Sequence, residues 1–250
     1  MADLAVVTGA GSGIGRAMAH ALAERGLEVL VVGRRKGPLE ETCGGVAGGL
    51  RPVAADVADP AGRARVVEAT AGAPVRCLIH NAGVLEPIGP LAQVALEEWR
   101  HAQAVNVEGP LFLTQLLLGQ LAGGRVLHVS SGAAHAPYAG WGSYCTTKAA
   151  LHMLYRLLRD ELGERDIAVG SLRPGVVDTP MQALIRRQPP ERFPAVQRFL
   201  ELHAGGRLER PEEVAAFTAW LLLDVPAAEF SADEWSFTDP AQRRRWEARA

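Results

Sequence analysis

The apolar residues of this chain fall into two alternating rhythms. Short, largely β-branched runs at 4–7, 28–32, 50–54, 75–79, 125–129 and 167–172 have no polar alternation, the pattern of strands buried on both faces. Between them the apolar spacing becomes helical, as at 16–25 with Ala17, Met18, Ala21 and Leu22 on one face. Further helices are predicted at 38–43, at 59–70 with Asp59 as N-cap, at 96–121, at 143–162, and at 211–223 with Pro211 in its first turn. A last strand is predicted at 234–238. Strands alternating with helices predict an α/β fold: a single-domain, Rossmann-type doubly wound parallel sheet flanked by helices. Pro52 has no N–H for a ladder, so strand 50–54 belongs at the sheet edge. Gly109-Pro110 predicts a kink within 96–121.

Two stretches break the rhythm. Residues 181–207 carry Pro189-Pro190 and Pro194 among scattered aromatics, and read as an irregular helical insertion, a candidate lid. Residues 239–250 are charged and arginine-rich, and read as a solvated or frayed tail beyond a domain spanning 1–238. No repeat or linker divides the chain.

Composition narrows the function classes. The chain has 250 residues, 48% of them apolar and 22% charged, enough for one substantial core. A net charge of −2 gives no reason to expect nucleic acid or an anionic membrane as partner. No apolar run approaches the length of a membrane span, and the N-terminus lacks the features of a signal peptide. Three cysteines without C-x-x-C, and histidines without H-E-x-x-H, predict no disulfide framework and no metal, and suit the reducing cytoplasm.

The candidate chemistry sits at strand ends. Thr8-Gly9-Ala10-Gly11-Ser12-Gly13-Ile14-Gly15 joins the first strand to a helix, the setting in which glycines let a backbone approach a pyrophosphate. The second strand ends in Gly33-Arg34-Arg35, where an acid would select NAD; two guanidiniums suit the 2′-phosphate of NADP instead. Asp56-Val57 is placed to meet an adenine amino group, and the fourth strand ends in His80-Asn81-Ala82-Gly83. Asn106, among apolar neighbours, must be hydrogen-bonded wherever it is buried. Ser131 follows the fifth strand, and Tyr144 and Lys148 lie four apart, on one face of a helix. An ammonium beside a phenol favours the phenolate, which makes Tyr144 a candidate proton donor and acceptor. Pro174-Gly175-Val176-Val177-Asp178-Thr179 follows the sixth strand. In a doubly wound sheet all of these converge at the carboxyl edge.

With these motifs the chain resembles the short-chain dehydrogenase/reductase family over residues 3–238. Within that family it is most similar to the sepiapterin reductase and benzil reductase-like members, through Gly140-Trp141, Tyr144-Cys145, Lys148-Ala149-Ala150 and Met181-Gln182. The resemblance implies NADPH/NADP as cofactor and a small-molecule carbonyl as substrate. Its motifs cover Gly9, Ser12, Gly13, Ile14, Gly15, Asp56, Val57, Asn81, Ala82, Gly83, Pro174, Gly175, Val177 and Thr179. Tyr144 is then the general acid, Ser131 holds the carbonyl oxygen, Lys148 lowers the tyrosine pKa, and Asn106 fixes a water that relays protons to Lys148. Ala133, Tyr138, Trp141 and Met181 are expected to line the substrate pocket. Ser236 stands where sepiapterin reductases carry a pterin-anchoring aspartate, which turns the expectation toward aromatic ketones and α-diketones. A homodimer or homotetramer built on helices 96–121 and 143–162 is also implied. An alcohol dehydrogenase working oxidatively and a non-catalytic NADP-binding sensor are the competing readings.

Overall fold

Each strand takes its place because alternate side chains supply two different cores. In β1 (Leu4–Thr8), Leu4 and Val6 join one buried cluster while Ala5 and Val7 join another. The computed structural model describes residues 3–45 and 48–248. Its remaining strands are β2 (Glu28–Gly33), β3 (Leu50–Ala54), β4 (Val75–His80), β5 (Arg125–Val129), β6 (Ala168–Arg173) and the short β7 (Trp235–Ser236). They form one parallel sheet in the order β3-β2-β1-β4-β5-β6-β7. Strand β3 is the edge, with Pro52 beside Val31. The order reverses between β1 and β4, which opens a crevice at their carboxyl ends.

The helices are α1 (Gly13–Glu24), α2 (Lys36–Gly44), α3 (Pro60–Ala69), α4 (Leu96–Gln103), α5 (Gly109–Leu117), α6 (Gly142–Leu162), α7 (Pro180–Arg186), α8 (Val196–Ala204), α9 (Pro211–Leu223), α10 (Ala227–Phe230) and α11 (Pro240–Glu247). One sheet face is covered by α1 and α9 through Met18, Leu22, Val214, Phe217 and Leu221. The other is covered by α5 and α6 through Leu113, Leu117, Tyr155 and Leu158. Asp59 accepts from the Ala61 N–H and caps α3, as its position predicts.

Two expectations are corrected. The stretch 96–121 is not one continuous α-helix. Instead α4 widens into a π-helical turn, Ala104–Glu108, before continuing as α5. Pro110 has no N–H for the carbonyl four residues back, and the wider spacing, with the Gly109 N–H bonded to Ala104 O, carries the chain past that gap. The C-terminal stretch is likewise not frayed over its described residues. Asp239 accepts from the N–H groups of Ala241 and Gln242 and starts α11, whose Trp246 packs on Phe217 and Phe237. Arg243 pairs with Glu209, Glu213 and Glu247, and Arg245 with Glu229. The insertion resolves into α7 and α8 on either side of Pro189-Pro190.

Candidate active site

The crevice begins where β1 turns into α1. Gly9 has φ +67°, and a Cβ there would lie 2.8 Å from the Ala82 Cα, so the turn needs glycine for both conformation and space. Asn81 stitches the two loops together: its side chain donates to Thr8 O (2.9 Å) and Gly9 O (3.3 Å), and its N–H to Thr8 Oγ1 (3.0 Å). Thr179 presses on Gly13 from the β6 side, and its own Oγ1 accepts from the Gln182 N–H to cap α7. The N-cap of α1, Ser12, makes no side-chain bond to the helix. The first N–H groups of α1, with the positive end of its dipole, are thus left to an anion.

Arg34 and Arg35 are exposed at the end of β2, and neither forms an ion pair among the described residues. Asp56 spends one carboxylate oxygen on the Ala58 N–H (3.0 Å). Free helix N–H groups, unpaired guanidiniums beyond β2 and a carboxylate beside β3 fit a dinucleotide. Every residue predicted to touch cofactor or substrate lines this one cleft of about 520 Å³, with Asn106 left out.

At the inner end of the cleft, Ser131 accepts from the Ala133 N–H (3.1 Å) and faces Tyr144. Lys148, one turn along α6 from Tyr144, is 5% exposed and donates from Nζ to Val129 O (2.7 Å). The ammonium lies 5.7 Å from the centre of the Tyr144 ring. Burial, opposed by the Ser131 hydroxyl, pushes the Tyr144 phenol up to about 12. Burial also pushes Lys148 down to about 8. In the protein alone, desolvation governs both groups, and each is driven toward its neutral form.

Asn106 is fully buried in the π-turn, and its amide is already engaged. Oδ1 accepts from the Val84 N–H (2.8 Å), while Nδ2 donates to Val84 O and to Thr147 Oγ1 (both 2.9 Å). It therefore locks the segment after Gly83 against α6. The side chain has little left for a water.

The outer wall is aromatic. Trp141 stacks on Phe193 with ring centres 4.4 Å apart and planes at 9°, with Phe199 at 5.3 Å and Tyr138 at 5.2 Å. Phe193 lies between α7 and α8 and Phe199 lies on α8; the prolines hid their contribution from a periodicity reading. Ser236 also lines the cleft, and its hydroxyl contacts Thr238 Oγ1 (3.2 Å).

A sequence model of the short chain dehydrogenase family matches residues 3–190. The chain belongs to the short-chain dehydrogenase family. That family comprises NAD(P)-dependent oxidoreductases. The chain is 38% identical over 144 residues to a benzil reductase ((S)-benzoin forming) of Bacillus cereus, a match covering 55% of this chain and 58% of the reductase. It thus matches well under two thirds of that relative's length. Among solved structures, a 3-ketoacyl-(acyl-carrier-protein) reductase from Brucella melitensis complexed with NADH superposes with TM-score 0.81 at 28% identity, covering 94% of this chain and 96% of the other. The L-sorbose reductase of Gluconobacter frateurii, complexed with NADPH and L-sorbose, superposes with TM-score 0.83 at 27% identity, covering 94% of each chain. These short-chain dehydrogenases have been captured with one dinucleotide or the other. No helix among the described residues is long and apolar enough to cross a membrane.

Proposed function

We propose that this short-chain dehydrogenase is an NADPH-dependent reductase of aromatic ketones and α-diketones. The observation that carries the reading is the convergence of the Ser131 hydroxyl and the Tyr144 phenol beside Lys148, at the inner end of a cleft walled by stacked aromatic rings. The nicotinamide, when bound, supplies a hydride to the carbonyl carbon. The protein's part is position and protons. Ser131 Oγ donates a hydrogen bond to the carbonyl oxygen and holds it against Tyr144. The Tyr144 phenol keeps its proton at neutral pH and releases it to that oxygen only as negative charge develops there, which is the behaviour required of a general acid. Lys148, held by Val129 O, supplies a fixed positive charge beside the phenolate that remains. Arg34, aided by Arg35, accounts for NADPH over NADH, through charge-assisted bonds to a 2′-phosphate.

The apolar wall accounts for flat, hydrophobic substrates. It also argues against a pterin anchored by an acid near Ser236, because Asp239 caps α11 and Glu234 faces Arg173 and two histidines. The test is to follow oxidation of NADPH by its absorbance with benzil, a small aliphatic diketone and sepiapterin. Benzil is expected to give the highest kcat/KM. Trp141→Ala is expected to lower that value for benzil far more than for the aliphatic diketone. A higher kcat/KM for sepiapterin refutes the substrate assignment, and no turnover with any carbonyl refutes the reductase.

A further inference from the structure

Beyond the cleft, the fold gathers two imidazoles and a carboxylate from distant parts of the chain. His135 and His152 lie 99 and 82 residues from Glu234. Glu234 Oε2 lies 2.7 Å from His135 Nε2, and Oε1 lies 3.2 Å from His152 Nδ1. The three potential donor atoms lie within 4.8 Å of one another. The imidazole rings meet edge to face, centres 4.6 Å apart. Zinc bonds of about 2.0–2.2 Å put neighbouring donors of a tetrahedral ion roughly 3.3–3.5 Å apart. A small outward movement of the two histidines therefore admits an ion.

The carboxylate is already prepared to be a ligand. Its side chain is 7% exposed, Ser171 Oγ donates to Oε1 (2.8 Å), and Arg173 Nε lies 3.1 Å from Oε2. Outer contacts of this kind orient a metal-binding carboxylate and keep it ionised. His135 and His152 are 39% and 21% exposed, so the open side faces solvent. An ion can enter there and keep water as a further ligand.

We propose that His135, His152 and Glu234 form a binding site for a zinc-type divalent cation. Two imidazoles and one carboxylate suit borderline ions such as Zn²⁺ and Co²⁺ rather than Mg²⁺ or Ca²⁺. The ion staples three segments: the loop following Ser131, the middle of α6 four residues beyond Lys148, and the entry to β7. It takes no step in the proposed reduction, and the site stands whether or not that reading holds. No spacing motif could announce it, since the ligands come from three separate elements.

The experiment uses the full chain, stripped with a chelator. Titration with Co²⁺ is expected to give visible absorption bands of a low-coordinate ion saturating at about one equivalent per chain, which Zn²⁺ displaces. At a hundredfold excess over its Kd, Zn²⁺ is expected to raise the melting temperature by about 5–10 °C. His135→Ala and His152→Ala, both at solvent-reached positions, are each expected to weaken binding at least about tenfold and to cut the thermal shift to about half or less. Glu234→Gln adds a third arm if it folds. Absence of saturable binding overturns the proposal. So does a binding curve or thermal shift left unchanged by both histidine replacements.

Discussion

Replacing Lys148 by methionine is expected to stabilise the cofactor-free protein near neutral pH while destroying turnover. Methionine fills the space of the lysine stem without its charge. The ammonium pays for its burial by falling from the ordinary 10.5 to about 8, because desolvation disfavours the charged form. Below pH 8 both folded and unfolded chains hold the proton, and the full cost of burying it, about 3 kcal/mol, weighs on the folded state. As pH rises from 8 toward 10.5, the folded chain releases the proton first; the unfolded chain then binds more protons, and wild-type stability gains. By about pH 9.5 roughly 2 kcal/mol of the penalty is gone.

The variant also loses the bond to Val129 O, which offsets about 1–2 kcal/mol at every pH. Near pH 7 the net expectation is a gain of about 1–2 kcal/mol, a rise of some 2–8 °C in melting temperature. The pH dependence is the more robust number, because the lost hydrogen bond cancels from it. Thermal melts of both proteins near pH 7 and pH 9.5, without cofactor, read it directly. The variant's advantage is expected to shrink by about 4–8 °C across that range. A constant difference, or a variant less stable near pH 7, refutes the claim that Lys148 is held as a desolvated charge.

Three further outcomes are expected. Tyr144→Phe, which keeps the ring and removes the proton donor, lowers kcat by about a hundredfold or more while NADPH binding measured by fluorescence survives; near-normal turnover sinks the mechanism. Arg34→Ala costs on the order of 1.5–3 kcal/mol of 2′-phosphate recognition, so the KM for NADPH rises about tenfold or more while that for NADH stays put; equal losses for both make Arg34 merely structural. Phe112 and Leu116 on α5, and Met153 and Leu157 on α6, are exposed apolar residues expected to be buried against a second copy, so Leu116→Lys with Leu157→Lys yields a monomer by sedimentation where the wild type is a dimer or larger; a wild-type monomer at micromolar concentration contradicts this.

Much of this architecture was legible because strand, turn and helix signals are local. Unbroken apolar runs give strands buried on both faces, and Pro52 alone suffices to send β3 to the edge. Once the order of elements is known, the carboxyl edge gathers Gly9, Arg34, Asp56, Ser131 and Tyr144 into one cleft without further information. What escaped was set by contacts between distant segments. The proline-rich stretch concealed that Phe193 stacks on Trp141 across 52 residues of chain (193 minus 141). The frayed-tail expectation failed because a charged helix looks unanchored until Glu209 and Glu213 are found opposite Arg243. Asn106 read as a buried polar residue, but nothing nearby in sequence announced Val84 and Thr147 as its partners.

The same division applies to Tyr144 and Lys148, whose closeness was legible in the sequence and whose burial was not. Four-residue spacing on a helix establishes that Tyr144 and Lys148 are neighbours, and from neighbours alone the Coulomb argument predicts a lowered phenol pKa. Burial is the sum of everything packed around them, and it acts against both charged forms at once. The pair is thus stored with the phenol protonated and the ammonium weakly held, a state costly to the fold that keeps the proton on Tyr144 until a bound oxygen takes it. A surface tyrosine with the same lysine one turn away lacks that cost. The expense of burying Lys148 and the acidity proposed for Tyr144 are therefore two aspects of one arrangement, and the methionine variant separates them by keeping the stability and losing the chemistry.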